Sequence, residues 1–71
     1  METLTQEEKE ILKRALKCEE EGHETWEWWM VNTQPAKIMK LVNKGLIVIV
    51  GKKKTLLYKI ADKNKVKELI L

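Results

Sequence analysis

The chain has 71 residues, 44% of them hydrophobic and 35% charged, which suffices for one small packed domain but not for two. Its single cysteine, Cys18, excludes an internal disulfide and a cysteine-based zinc site, and no apolar run approaches the roughly 18 residues of a membrane span. Since the N-terminus also lacks the basic-then-apolar layout of a signal peptide, we expect a cytoplasmic protein with a single domain over residues 1–71.

The net charge of +3 conceals an uneven distribution along the chain. Residues 1–34 contain 4 Lys or Arg and 9 Asp or Glu, a net charge of −5, whereas residues 35–71 contain 10 Lys and 2 acidic residues, a net charge of +8. A basic half of this strength favours a polyanionic partner such as nucleic acid. The alternative is an ordinary solvated surface.

A first helix is predicted to begin at Thr5, because Thr5 and Glu8 have the spacing of a capping box. The apolar residues that follow repeat at helical spacing, and Gly22 is a suitable stop. Cys18 lies at the edge of the apolar stripe, and we expect its small side chain to fill space beside the core. The run of glutamates at residues 19–21 is expected to be solvated at a small cost in stability.

A short second helix is predicted over residues 24–31. Helical spacing would place Trp26, Trp29 and Met30 on one face, and we expect the two tryptophans among them to lie in the core. Trp28 would point elsewhere, either partly buried or at an interface with a partner.

The third helix is predicted to begin near Pro35, with Thr33 as its cap, and to end at Gly45. Its inward face contains Ile38, Leu41 and Val42. The opposite face contains small, polar and basic residues, namely Ala36, Lys37, Lys40, Asn43 and Lys44.

The runs 46–50 and 55–60 are typical of two strands joined by a turn at residues 51–54. A four-residue turn would pair Ile49 with Leu56 and Ile47 with Tyr58, and both faces of this hairpin would be apolar. The first face would contain Ile47, Ile49, Leu56, Tyr58 and Ile60, and the second face would contain Leu46, Val48, Val50 and Leu57. A last helix, capped by Asp62 or Asn64, carries Val66, Leu69 and Ile70. This helix is one candidate to cover the second face of the hairpin, a homodimer or a partner protein is another, and plain exposure is the third.

The stretch 34–47, QPAKIMKLVNKGLI, resembles the recognition helix and first wing strand of the winged-helix superfamily. Its ending, Leu-x-x-Lys-Gly-Leu-Ile, is similar to regulators of the MarR and ArsR type and to winged helices appended to archaeal replication and repair enzymes. The resemblance covers roughly residues 5–61. It implies an α+β winged helix-turn-helix fold, with three helices, a two-stranded hairpin wing and a short C-terminal helix.

The resemblance also implies a mode of binding to double-stranded DNA, with the third helix in the major groove and the wing on the backbone or in the minor groove. Lysines would meet phosphates or base acceptors, and Asn43 could pair with an adenine edge. The only arginine, Arg14, lies on the first helix, which argues against sequence-specific readout. The DNA-contact residues implied are Thr33, Gln34, Ala36, Lys37, Lys40, Asn43, Lys44, Lys52, Lys53 and Lys54.

Other functions are compatible with the same residues. Many winged helices dock proteins instead of DNA, and Trp28, the acidic first half and the low arginine content favour that alternative. Lysines at a hairpin tip also serve simply to prevent edge-to-edge aggregation. There is no nucleophile–base pairing, Gly-rich phosphate loop or metal-ligand spacing, and His23 has no Cys or His companion. We therefore expect neither an enzyme nor a bound metal or cofactor.

Overall fold

The computed structural model describes residues 4–70 of the chain. Three α-helices, α1 (Gln6–Glu20), α2 (Pro35–Asn43) and α3 (Lys63–Ile70), surround a two-stranded antiparallel sheet of β1 (Ile47–Lys52) and β2 (Leu56–Ile60). A single 3-10 turn (Trp28–Val31) lies between α1 and α2. The chain is thus a small α+β domain of helices and one hairpin.

The first helix has the limits expected from its sequence. The Thr5 hydroxyl accepts a hydrogen bond from the Glu8 N–H (3.1 Å), and the Glu8 carboxylate accepts one from the Thr5 N–H (3.0 Å), so the capping box is confirmed. Gly22 has a φ of 104°, a left-handed conformation that ends the helix with no penalty from a Cβ. The stripe Ile11, Leu12, Ala15 and Leu16 is buried against the rest of the core.

The second helix predicted over residues 24–31 is wrong. Trp26 is extended instead, and its backbone exchanges two hydrogen bonds with Tyr58 of β2, at 3.0 and 2.9 Å. The two rings also pack together, with their centroids 5.5 Å apart. Pairing with a sheet edge and burial of a large indole outweigh the weak helical preference of a segment this short.

This change of backbone alters the position of each tryptophan. Trp26 is fully buried, as expected, and Trp28 is half-buried against the core. The prediction that Trp29 lies in the core is wrong, because its side chain is 59% exposed and its indole N–H is bound by Glu27. Helical spacing does not apply to an extended residue followed by one 3-10 turn, so the expected common face does not form.

The α2 helix begins at Pro35 and is followed by Gly45 at a φ of 78°. Its N-cap is Gln34, whose side chain makes no capping hydrogen bond, and the assignment of Thr33 as the cap is wrong. Pro35 fixes the first helical position because its φ is already helical, so the cap position is the residue directly before it, Gln34, and Thr33 lies one residue too early. Ile38 and Leu41 are buried, and Val42 is half-buried.

The hairpin pairs in a different register from the one expected. Ile47 lies opposite Ile60, and Ile49 lies opposite Tyr58 instead of Leu56, because β1 runs on to Lys52 with a bulge between Ile49 and Gly51. Up to the bulge the shift is two positions, which leaves Ile47, Ile49, Tyr58 and Ile60 on the face expected for them, since side chains alternate with a period of two. The bulge leaves Val50 without a partner in the ladder, and the loop between the paired residues Lys52 and Leu56 has three residues, 53–55, instead of four.

The last helix packs against α1 and not over the hairpin. Its cap is Asp62, whose carboxylate accepts hydrogen bonds from the N–H groups of Asn64 (3.0 Å) and Lys65 (3.2 Å). Val66 is fully buried. Because α3 leaves Val48 and Val50 exposed, the last helix does not cover the second face of the hairpin, and the first of the three candidates is excluded.

Candidate nucleic-acid interface

The C-terminal end of α2 is attached to the N-terminal end of α1 by an ion pair. The Lys44 amine donates to both carboxylate oxygens of Glu8, at 3.0 and 2.8 Å. Burial by itself would raise the pKa of Glu8, but the hydrogen bonds from Lys44 and then from Thr5 outweigh it, and the pKa falls below its ordinary value. Lys44, placed on the solvent face by helical spacing, therefore serves as a link between two helices.

A second lysine of α2 meets the same acidic end of α1. Lys37 forms an ion pair with Glu7, and both side chains are largely exposed. An exposed pair of this kind contributes little to stability, but it does neutralise part of the positive charge of α2. The charge separation of the linear sequence is thus partly cancelled in the folded chain.

The remaining solvent face of α2 is open. Ala36, Met39, Lys40 and Asn43 are exposed, and within residues 4–70 no carboxylate is paired with Lys40. At the start of the helix, the Gln34 side chain is exposed and Thr33 is half-buried. A polyanion approaching α2 would therefore meet one unpaired lysine flanked by small and polar side chains.

The hairpin tip, residues 52–54, carries three consecutive lysines. All three are exposed, and none is paired with a carboxylate of the described part of the chain. A hydrogen bond of 3.0 Å from the Lys53 N–H to the Thr55 carbonyl closes the turn. Lys59, opposite Val48 in the sheet, adds another exposed and unpaired amine nearby along β2. The hairpin thus holds the densest free positive charge among residues 4–70.

Glu19 has a role that the sequence patterns missed. Its side chain is only 3% exposed, and its Oε2 accepts hydrogen bonds from the Trp26 indole (3.1 Å) and from the Ile60 N–H (2.9 Å). The Lys63 amine lies 3.5 Å from the other oxygen. The expectation that residues 19–21 are all solvated is therefore wrong for Glu19. Helical spacing is the signal that could have found it, because Glu19 follows Leu12, Ala15 and Leu16 at i+7, i+4 and i+3, whereas Glu20 and Glu21 turn towards solvent and are exposed.

An open cleft of about 640 Å³ lies beside Glu19 and is lined by side chains of both charges, among them His23, Glu24, Lys59 and Lys63. His23 is exposed. Within residues 4–70 no group of three His, Cys, Asp or Glu side chains is arranged to hold a metal ion. The mixed charge of the cleft matches no single class of small ligand.

Arg14 and Cys18 are both occupied in packing α1 against the 3-10 turn. The Arg14 guanidinium donates to the carbonyl of Val31 at 3.4 Å. Cys18 is half-buried against the core, and burial raises the pKa of its thiol, an effect to which Glu21 and Glu19 add. A raised pKa disfavours the reactive thiolate.

Within residues 4–70, no helix is both long and apolar enough to cross a membrane. No family model, no curated protein and no solved structure matches this chain.

Proposed function

We propose that the chain is a winged-helix module that binds duplex DNA through phosphate contacts, with the hairpin as its principal contact element. The order of elements supports this proposal: α1, a 3-10 turn, α2 and then the hairpin follow the winged-helix order, with the 3-10 turn in the place of the second helix. The observation that carries the proposal is the cluster of three exposed, unpaired lysines at the hairpin tip.

Because of the ion pairs of α2, the DNA-contact residues that the resemblance implied are not equally available to a phosphate. Lys37 and Lys44 are held by Glu7 and Glu8, so a phosphate would have to displace a carboxylate to reach either amine. Lys40 and the hairpin tip carry no such cost. The expected contacts are therefore concentrated on Lys40 and on residues 52–54.

The proposal favours binding that is independent of sequence. Lysine acts on phosphate as a point charge, whereas bidentate arginine is the commonest specific contact to guanine. The single arginine of the chain donates to the Val31 carbonyl on a different element. Asn43 and Gln34 are the exposed side chains that can read a base edge, and two amides supply little discrimination.

The test compares two triple variants that lower the net charge equally, by three. K52A/K53A/K54A removes the hairpin tip, and K13A/K17A/K67A removes three exposed lysines of α1 and α3. For the tip variant we expect the affinity for a random duplex to fall by about tenfold or more. The slope of log K against log salt should become shallower by about 2.7, or about 0.9 for each phosphate that the variant no longer neutralises.

The control variant should keep most of the affinity and most of the salt slope. Equal losses of affinity in the two variants would mean that net charge alone attracts DNA and that the hairpin is not the contact element. Absence of any salt-sensitive binding at low ionic strength would overturn the proposal. The single variants K40A and K37A test the difference between the two α2 lysines. K40A should weaken DNA binding more than K37A, because Lys37 is already paired with Glu7.

A second candidate function is docking of a protein partner. The specific observation in its favour is Trp29, whose indole is 59% exposed. Exposed tryptophan is frequent at the centre of protein interfaces. Trp29 and not Trp28 is therefore the tryptophan to test, and retention of duplex affinity by W29A would separate this surface from the DNA-contact residues.

A further inference from the structure

The lysines of α2 lie in a row beside the acidic first turn of α1. Lys37, Lys40 and Lys44 follow each other at i, i+3 and i+7, a spacing that places their side chains on one side of the helix. Lys37 forms an ion pair with Glu7, and Lys44 donates to both carboxylate oxygens of Glu8. Two of the three amines are therefore held by α1, and the middle one is not.

A recess between the two helices connects the held lysine at the start of α2 with the free one. Its volume is about 190 Å³, and it is lined by Thr5, Glu7, Glu8, Ile11, Lys37 and Lys40. A lysine amine is carried on a flexible four-carbon stem. A phosphate bound at Lys40 therefore lies within reach of the Lys37 amine, once that amine is released from Glu7.

The two ion pairs differ in what else their carboxylates do. The Glu8 side chain is 11% exposed, and its carboxylate also accepts the hydrogen bond from the Thr5 N–H (3.0 Å) that completes the capping box. The Glu7 side chain is 56% exposed, and within residues 4–70 it has no polar partner other than Lys37. Glu8 is therefore part of the α1 cap as well as of an ion pair, whereas Glu7 serves only to hold Lys37.

We propose that Glu7 is an autoinhibitory residue, whose carboxylate keeps Lys37 from contacting phosphate when the chain binds duplex DNA. The inference rests on the proposed function and extends its set of contact residues. Loss of the Glu7 charge, with every lysine retained, adds Lys37 to the contacts made by Lys40 and by the hairpin tip.

The size of the effect follows from the exposure of the pair. The fold holds Glu7 next to Lys37, so the carboxylate competes with phosphate at a high effective concentration. An exposed ion pair is nevertheless weak, and its removal should raise the affinity for DNA by only about two- to fivefold. The salt dependence is the more specific measurement, because each added phosphate contact steepens the slope of log K against log salt by about 0.9.

The test compares E7Q with E20Q in binding to a random duplex. Both variants raise the net charge by one, and Glu20 is an exposed residue at the other end of α1 with no ion pair in the described part of the chain. E7Q should bind about two- to fivefold more tightly than the parent chain, with a slope steeper by about 0.9. E20Q should gain less affinity and keep the slope of the parent chain.

The variant K37A, made in both backgrounds, tests whether Lys37 is the added contact. In the parent chain Lys37 is held by Glu7, so K37A should leave the salt slope nearly unchanged. In the E7Q background, K37A should make the slope shallower by about 0.9, because it removes the contact that E7Q has added.

The outcomes separate this inference from the proposed function. Equal slopes for the parent chain, E7Q and E20Q, with salt-sensitive binding by all three, would overturn the inference alone. A change of slope by K37A that is the same in both backgrounds would also overturn it, since Lys37 would then contact phosphate regardless of Glu7. Absence of salt-sensitive binding by the parent chain and by E7Q alike would overturn the inference and the proposed function together.

Discussion

Glu19 demonstrates how much one residue can depend on its tertiary surroundings. It belongs to a run of three glutamates at the end of α1, yet it alone of the three binds the Trp26 indole and the Ile60 backbone. A buried polar group that loses its partner costs more than an exposed hydrogen bond contributes. Glu19 therefore connects α1, the extended Trp26 segment and β2 through a single carboxylate.

Replacement of the Glu19 carboxylate should lower the free energy of unfolding, whereas replacement of the Glu20 carboxylate should not. We expect E19A to lower the free energy of unfolding by about 2–3 kcal/mol, because it leaves two buried N–H donors without an acceptor. E19Q retains an amide oxygen for these donors and loses mainly the attraction to Lys63, so it should cost less than half as much. Urea denaturation of both variants measures the difference.

The exposed neighbour provides the control for this prediction. E20A removes the same group from a solvated position and should change the free energy of unfolding by no more than about 0.5 kcal/mol. If E19A and E20A unfold at the same urea concentration, the network around Glu19 contributes nothing to stability.

At the scale of elements, the ends of α2 and of the hairpin depend on backbone conformation more than on side-chain contacts. Gly45 has a φ of 78° at the junction of α2 and β1, and a Cβ there would meet nothing within 4 Å. Gly51 lies beside the bulge without a positive φ, and a Cβ there would make an ordinary contact with Leu57 at 3.7 Å. A Cβ would therefore be strained by backbone conformation at Gly45 and would be accommodated at Gly51.

Alanine should have opposite consequences at these two positions. We expect G45A to destabilise the domain by about 1–2 kcal/mol, since an L-residue resists this conformation even in open space. G51A should be neutral or stabilise by up to about 1 kcal/mol, because it restricts the unfolded chain without straining the folded one. Thermal melts of the two variants check this, and a destabilisation by G51A as large as that by G45A would contradict it.

At the scale of the whole molecule, the acidic and basic halves of the chain fold onto each other. Three lysines of the basic half, Lys37, Lys44 and Lys63, meet the α1 glutamates Glu7, Glu8 and Glu19. Only part of the +8 charge of residues 35–71 is therefore free for a partner. The free part lies mainly on the hairpin, which is why the proposed DNA contact centres there.

The Glu8–Lys44 pair should make the free energy of unfolding depend on pH in the acidic range. The folded-state pKa of Glu8 lies below its ordinary value of 4.5, so its contribution is fully present above that value and is lost as pH falls through the folded-state pKa. At pH 7 we expect E8Q to cost about 1 kcal/mol, and the difference from the parent chain should shrink as pH falls below about 4.5. Urea denaturation from pH 2.5 to 7 measures both curves.

Glu7 provides the matched control for this pH dependence. Its pair with Lys37 is largely exposed, so E7Q should follow the parent curve much more closely at every pH. A gap between the parent chain and E8Q that stays constant down to pH 2.5 would contradict the assigned role of the ion pair.

The sequence by itself determined the parts of this protein that depend on neighbours along the chain. The Thr5–Glu8 capping box, the stops at Gly22 and Gly45, the start at Pro35 and the two strands around Gly51 all follow from local backbone chemistry. The grouping of Ile47, Ile49, Tyr58 and Ile60 on one face of the hairpin also follows from the sequence, because alternation of side chains survives a register error of two residues.

Only the tertiary structure decided which of several similar residues is buried or paired. The three tryptophans look alike in sequence, but pairing with β2 buries Trp26 and leaves Trp29 in solvent. Helical spacing places Glu19 on the inner face of α1 but does not identify the Trp26 and Ile60 groups that it binds. It likewise places the α2 lysines towards solvent, although Glu7 and Glu8 lie within reach of Lys37 and Lys44. In each case the deciding partner lies on another element, and local spacing contains no information about contacts between distant segments.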